Sequence, residues 1–114
     1  NLKRKQKFHG EAFNFGPSLR TKKKVKDVVN KMKKNWNRLM WKEVKTKNFF
    51  ENKLLQLDSR KSKKQLKWKS VLTFDETIEL TVDWYKNFFE KKKSTIEKSL
   101  IQIEQYERKI RSLM

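Results

Sequence analysis

The stretch TFDETIELTVDWYKNFF, Thr73 to Phe89, decides the fold class. Thr73 and Glu76 form a capping-box pattern in which each side chain satisfies one otherwise unpaired amide at a helix start. Ile78, Thr81, Val82, Tyr85, Phe88 and Phe89 then recur at helical spacing and predict one apolar face. Asp75, Glu76 and Glu79 sit at the electropositive end of this helix, where carboxylates stabilise the dipole, so they read as capping groups and not as an acid–base pair.

Downstream, Ser94 and Glu97 repeat the box after the run Lys91 to Lys93. Ile96, Leu100, Ile103, Tyr106 or Glu107, Ile110 and Leu113 keep a near-heptad spacing and predict a closing amphipathic helix over residues 94–114. With fewer than three full repeats, it is expected to pack on its own domain, and a role in dimerisation is the weaker alternative. Upstream, Val25, Val28, Val29, Met32 and Trp36 make another stripe, with Thr21 or Ser18 as its N-cap. Asp58 and Ser59 offer capping oxygens to a short helix from Arg60 to Leu66 that brings Trp68 into the core. Three short strands are expected, at Glu11 to Phe15 before the turn Gly16-Pro17-Ser18, at Trp41 to Lys45 and at Lys53 to Leu57. The fold class is therefore α+β, mainly helical, with few short strands and about four helices.

Composition bounds what such a chain does. Its 114 residues suit one small domain or part of a larger protein. A net charge of +18, with 39% charged and 35% hydrophobic residues, is too polar for an ordinary enzyme core. Eight Phe, four Trp and two Tyr are nonetheless more aromatic surface than a disordered polycation carries. With no Cys there are no disulfides, thiolate metal sites or cysteine nucleophiles. Gly10 and Gly16 are the only glycines, too few for a Walker loop or a dinucleotide-binding turn, and His9 stands alone, as a turn or surface residue. No metal site is expected. No apolar run is long enough for a membrane span or signal peptide, so a cytoplasmic protein without membrane contact is expected. The chain opens on Asn1, without Met, inside a charged helix-like run, and the expectation is that an amino-terminal portion precedes it.

Basic charge is the footprint of phosphate neutralisation. Here 25 Lys stand against 6 Arg and are spread along the whole chain, which reads as compositional bias more than as a dedicated nucleic-acid surface. A basic helical nucleic-acid-binding module is the alternative reading. Phe49-Phe50 differs from the other aromatics because it sits in a polar loop, Thr46 to Asn52, where binding groups are common.

Four blocks in order carry a resemblance: Gly10-Glu11-Ala12-Phe13-Asn14-Phe15-Gly16-Pro17; Leu54-Leu55-Gln56-Leu57-Asp58-Ser59-Arg60-Lys61-Ser62; Leu66-Lys67-Trp68-Lys69-Ser70-Val71-Leu72; and Thr81-Val82-Asp83-Trp84-Tyr85. Together they resemble the carboxy-terminal part of extended short-chain dehydrogenases/reductases acting on nucleotide sugars. Asn14-Phe15-Gly16-Pro17 and the terminal Gln102-Ile103-Glu104-Gln105-Tyr106-Glu107 resemble the CDP-glucose 4,6-dehydratases most. Such enzymes use a tightly bound NAD to oxidise the sugar at C4, eliminate water across C5 and C6, and return the hydride to C6. The resemblance implies that residues 1–93 are the substrate-binding part and residues 94–114 a carboxy-terminal helix. It further implies CDP-glucose as ligand, shared with a Rossmann domain, homo-oligomers at full length, and substrate contacts at Asn14, Phe50 and Glu51.

No catalytic or NAD-binding residue is implied in this segment, because the family's Tyr-x-x-x-Lys pair has no match: Phe89 follows Tyr85 by four, and Ile110 follows Tyr106 by four. Two motifs depart from the family pattern. Its His-Glu-Ala stretch reads Phe50-Glu51-Asn52 here, and its Gly-Trp-x-Pro turn reads Lys67-Trp68-Lys69-Ser70. A Lys in that turn would have to accept a positive φ at some cost.

Overall fold

A computed structural model of the chain describes residues 8–18, 21–42, 44 and 56–114. They contain four helices, α1 (Val25–Asn35), α2 (Arg60–Leu66), α3 (Phe74–Glu90) and α4 (Thr95–Ser112), and the chain divides into two compact units. One unit joins residues 1–22 to 54–70, and the other joins 23–53 to 71–114. The mainly helical expectation holds, whereas no strand occurs among the described residues.

In the first unit, residues 11–16 run irregularly alongside α2, without a sheet partner. The expected strand at Glu11 to Phe15 is thereby corrected, and the reason is chemical. A strand must pair its backbone, and here side chains take that role. Lys61 Nζ donates to the Ala12 carbonyl at 2.9 Å, Ser62 Oγ to that of Asn14, and Ser59 Oγ to that of Gly16 at 3.4 Å. Alternate carbonyls thus face the helix, as the period of two requires, while the Phe13 and Phe15 rings find aromatic partners. Phe13 meets Phe8 edge-on at 5.9 Å, and Phe15 meets Trp68 at 5.2 Å. A turn through Gly10, at φ 76°, precedes the segment, closed by the Glu11 N–H on the Phe8 carbonyl. His9 is exposed in that turn, as expected.

In the second unit, α3 is the central element, packed on α1 and on α4. Val28, Val29 and Met32 are half-buried, Ile78 and Val82 are buried, and the Trp36 ring lies 5.9 Å from that of Phe89. Lys31 pairs with Asp75 at 3.5 Å, and the Lys23 ammonium stands 4.8 Å over the Phe74 ring, both tying α1 to the start of α3. Of the six residues of the expected stripe on α3 only Ile78 and Val82 are buried, and Thr81, Tyr85, Phe88 and Phe89 stay exposed. At 100° per residue Thr81 and Phe88 lie about 60–80° round the helix from Ile78, to one side of the line that α1 covers. Val25, at 75% exposure, also leaves its predicted stripe for solvent.

The expected cap is complete at α3, is made by one half of its box at α4 and by Asp58 without Ser59 at α2, and differs at α1. Thr73 Oγ1 accepts from the Glu76 N–H at 3.2 Å while Glu76 Oε2 accepts from the Thr73 N–H at 2.8 Å. Ser94 Oγ accepts from the Glu97 N–H at 3.1 Å. At α2 the Asp58 carboxylate accepts from the Arg60 N–H at 3.0 Å. Neither Thr21 nor Ser18 caps α1: its N-cap is Lys24, whose N–H donates to Asp27 Oδ2 at 2.8 Å. An acid three residues in serves where the cap residue itself has no oxygen to offer. Of the other expected strands, Trp41, Lys42, Val44, Gln56 and Leu57 are irregular, and the rest of Trp41–Lys45 and Lys53–Leu57 lies outside the described residues.

Candidate functional site

Of the three expected substrate contacts, Phe50 and Glu51 lie outside the described residues, and Asn14 lies in the extended segment of the first unit. Its carbonyl is held by Ser62, which is fully buried. The Asn14 side chain is exposed, and among the described residues its amide has no hydrogen-bond partner. The exposed amide offers two donors and one two-lone-pair acceptor. Phe15, next to it, is half exposed with its ring set against Trp68, and Gly16 lies where a Cβ would come within 3.4 Å of the Leu57 Cβ.

Around this segment the charges are structural. Lys61 pairs with Glu11 at 2.8 Å and stands 4.6 Å over the Phe13 ring. Asp58 binds the Arg60 guanidinium through both carboxylate oxygens, and that contact holds its pKa down at about 2. A carboxylate so held is a poor general base. The described residues of the first unit therefore offer hydrogen-bonding and stacking groups. Lys61 and Ser62, which fix the segment, were not singled out by sequence; the signal is their place in the Asp58-Ser59-Arg60-Lys61-Ser62 block, where consecutive polar residues open a helix.

The second unit presents a different surface. Phe88 and Phe89 are 50% and 63% exposed at the end of α3, beside Lys91, Lys92 and Lys93 in the turn to α4. Glu90 is paired with Lys92 at 3.1 Å, which lowers its pKa. Phe88 and Phe89 were both expected on the apolar face of α3, and both stay exposed although the Trp36 ring reaches that of Phe89. No cluster of three His, Asp or Glu side chains able to hold a metal occurs among the described residues, and none of their helices is long and apolar enough to cross a membrane.

Comparison with known protein families, with curated proteins and with solved structures finds no match for this chain.

Proposed function

We propose that this chain is the nucleotide-sugar-binding part of an extended short-chain dehydrogenase/reductase of the CDP-glucose 4,6-dehydratase type, and that its ligand is CDP-glucose. The observation that carries the reading is the union of its first two sequence blocks in one compact unit. Residues 10–17 and 54–62 are separated by some 40 positions of sequence, yet Ser62 and Ser59 hold the Asn14 and Gly16 carbonyls of the first block and Lys61 holds that of Ala12. Two blocks that a shared ancestor would retain for one purpose thus meet at one place. A second support is Lys67, whose φ of 57° falls where the family pattern has glycine.

In this reading the Asn14 amide of the first unit hydrogen-bonds the nucleotide sugar. The residues present do not fit NAD: two glycines cannot build the dinucleotide turn, and no tyrosine has a lysine four residues on. The segment binds and orients. The redox and elimination steps belong to the Rossmann portion of a whole enzyme.

Calorimetric titration tests this directly. CDP-glucose is expected to bind the chain more tightly than UDP-glucose, and Asn14→Ala to weaken binding about 10-fold, as loss of one hydrogen-bonded contact does. Mixing with a Rossmann fragment and NAD is expected to restore turnover. Absence of binding by the folded chain, together with absence of turnover in the mixture, overturns the proposal.

The exposed Phe88 and Phe89 beside Lys91 to Lys93 favour a second reading, a basic nucleic-acid-binding module in which bases stack on rings and lysines neutralise phosphates. It predicts oligonucleotide binding that falls steeply with salt and is insensitive to CDP-glucose.

A further inference from the structure

Helix α4 meets α3 through a polar seam beside which Ile103 and Tyr106 line a groove with Leu80 and Trp84. Trp84 Nε1 donates to Ser99 Oγ at 2.9 Å, Gln102 Nε2 donates to the Leu80 carbonyl at 2.7 Å, and Lys98 and Lys109 pair with Asp83 and Glu76. At 100° per residue, the apolar stripe of α4 lies well to one side of that seam. Ile96, Leu100 and Ile103 are 74%, 61% and 55% exposed. A stripe that repeats with heptad spacing and stays dry on neither side is an interaction surface in want of a partner.

The charges flanking the stripe identify that partner. Helix α4 carries four basic and three acidic side chains in a chain that has 31 and 13, so this face lacks the positive excess that holds two copies apart elsewhere. Glu97, in the first turn, and Arg111, in the last, flank the stripe on the same side two heptads apart, and neither has an ion-pair partner among the described residues. Glu104, midway between them, is already paired with Arg108 at 2.6 Å.

We propose that a second copy of this chain lays its α4 antiparallel along this stripe, Leu100 of each copy against Ile110 of the other, with Glu97 facing Arg111 at both ends. The pairing is isologous and closes at a dimer. Parallel pairing would set Glu107 against Glu107 within the stripe, whereas antiparallel pairing sets it against Ile103 and brings together, at the edge of the stripe, only the two Glu104, each already neutralised by its own Arg108. The exposed rings of Tyr85 and Phe88 on α3 widen the apolar surface. This inference stands apart from nucleotide-sugar binding, which involves the first unit.

Sedimentation velocity over a concentration series of the 114-residue chain tests it, with circular dichroism to verify helix content. Because Leu100 is exposed, Leu100→Asp is expected to leave the fold intact and weaken dimerisation at least about 10-fold. Glu97→Arg and Arg111→Glu are each expected to weaken it, and the double reversal to restore it. The chain has no native cysteine, so an equimolar mixture of Leu100→Cys and Ile110→Cys is expected to cross-link readily while Leu100→Cys alone does not. A chain that stays monomeric at every concentration, a dimer indifferent to Leu100→Asp, failure of the double reversal to restore association, or efficient self-linking of Leu100→Cys each overturns the proposal. So does a chain that remains monomeric while taking up an unrelated helical peptide on this face.

Discussion

At Lys67 and Lys91 the backbone adopts φ of 57° and 52°, each closing a helix in the left-handed region where a Cβ crowds the following carbonyl oxygen. Glycine is the usual residue at such a helix end. Lys67→Gly and Lys91→Gly are each expected to stabilise the chain by about 0.5–1 kcal/mol, the strain relieved exceeding the added freedom of the unfolded chain. The two effects should add, since the sites share no partner; urea midpoints of the single and double variants check both claims. Asn87 shows the opposite economy. Buried at 6% exposure, it accepts from the Lys93 N–H and donates to the Lys93 carbonyl, both at 3.0 Å, which joins the end of α3 to the turn before α4. Asn87→Ala is expected to cost about 2–3 kcal/mol because both backbone groups lose their partner. Asn87→Asp keeps the acceptor and loses the donor, so thermal unfolding should place it between the two.

Among the elements, α3 and α4 were the most legible in the sequence, because capping and periodicity there point the same way. Thr73→Ala and Ser94→Ala are expected to cost about 1 kcal/mol each, the usual worth of an N-cap, with the loss of helix signal on urea titration as the measurement. Glu76 couples the two helices: the Lys109 ammonium and then the Thr73 N–H hold its pKa below the usual carboxylate value. A depressed folded pKa means that the unfolded chain takes up the proton first, so this contribution is present above the unfolded value near 4.5 and is lost as the pH falls through the folded one. Glu76→Gln should therefore lower stability near neutral pH and converge with the native chain in acid. A constant difference across that pH series would show that the ion pair contributes nothing. What sequence left hidden was the direction each face takes. The period of two at residues 11–16 is real, but periodicity does not name the partner, and Ser59, Lys61 and Ser62 do what a paired strand would do. The stripes on α3 and α4 are likewise real, but how much of a stripe is covered depends on which side of α3 faces α1 and on a polar seam built from Ser99, Gln102, Lys98 and Lys109, none of which periodicity of apolar residues can reveal. Of the site, Asn14 was legible only through its motif, because an exposed amide carries no periodic signal.

Taken whole, the molecule is dominated by like charge. Its 13 acidic side chains can answer fewer than half of its 31 basic ones, so at least 18 cations repel one another in the compact state. The ion pairs that do form are exposed on at least one side, as at Lys61–Glu11 and Arg108–Glu104, and such pairs contribute little. Screening therefore removes more repulsion than attraction. Raising NaCl from about 0.01 to 0.5 M shortens the Debye length from about 30 Å to under 5 Å and is expected to raise the thermal midpoint, by an amount of the order of 1 kcal/mol in stability. Dimerisation through α4 would raise it too, by mass action, so the comparison belongs to the Leu100→Asp variant as well as the native chain. If repulsion governs, both midpoints climb with salt and the native chain's keeps a further rise with protein concentration. A midpoint that falls with salt in the Leu100→Asp variant would mean instead that the few ion pairs at Asp75, Glu76 and Asp83 outweigh the excess of lysine.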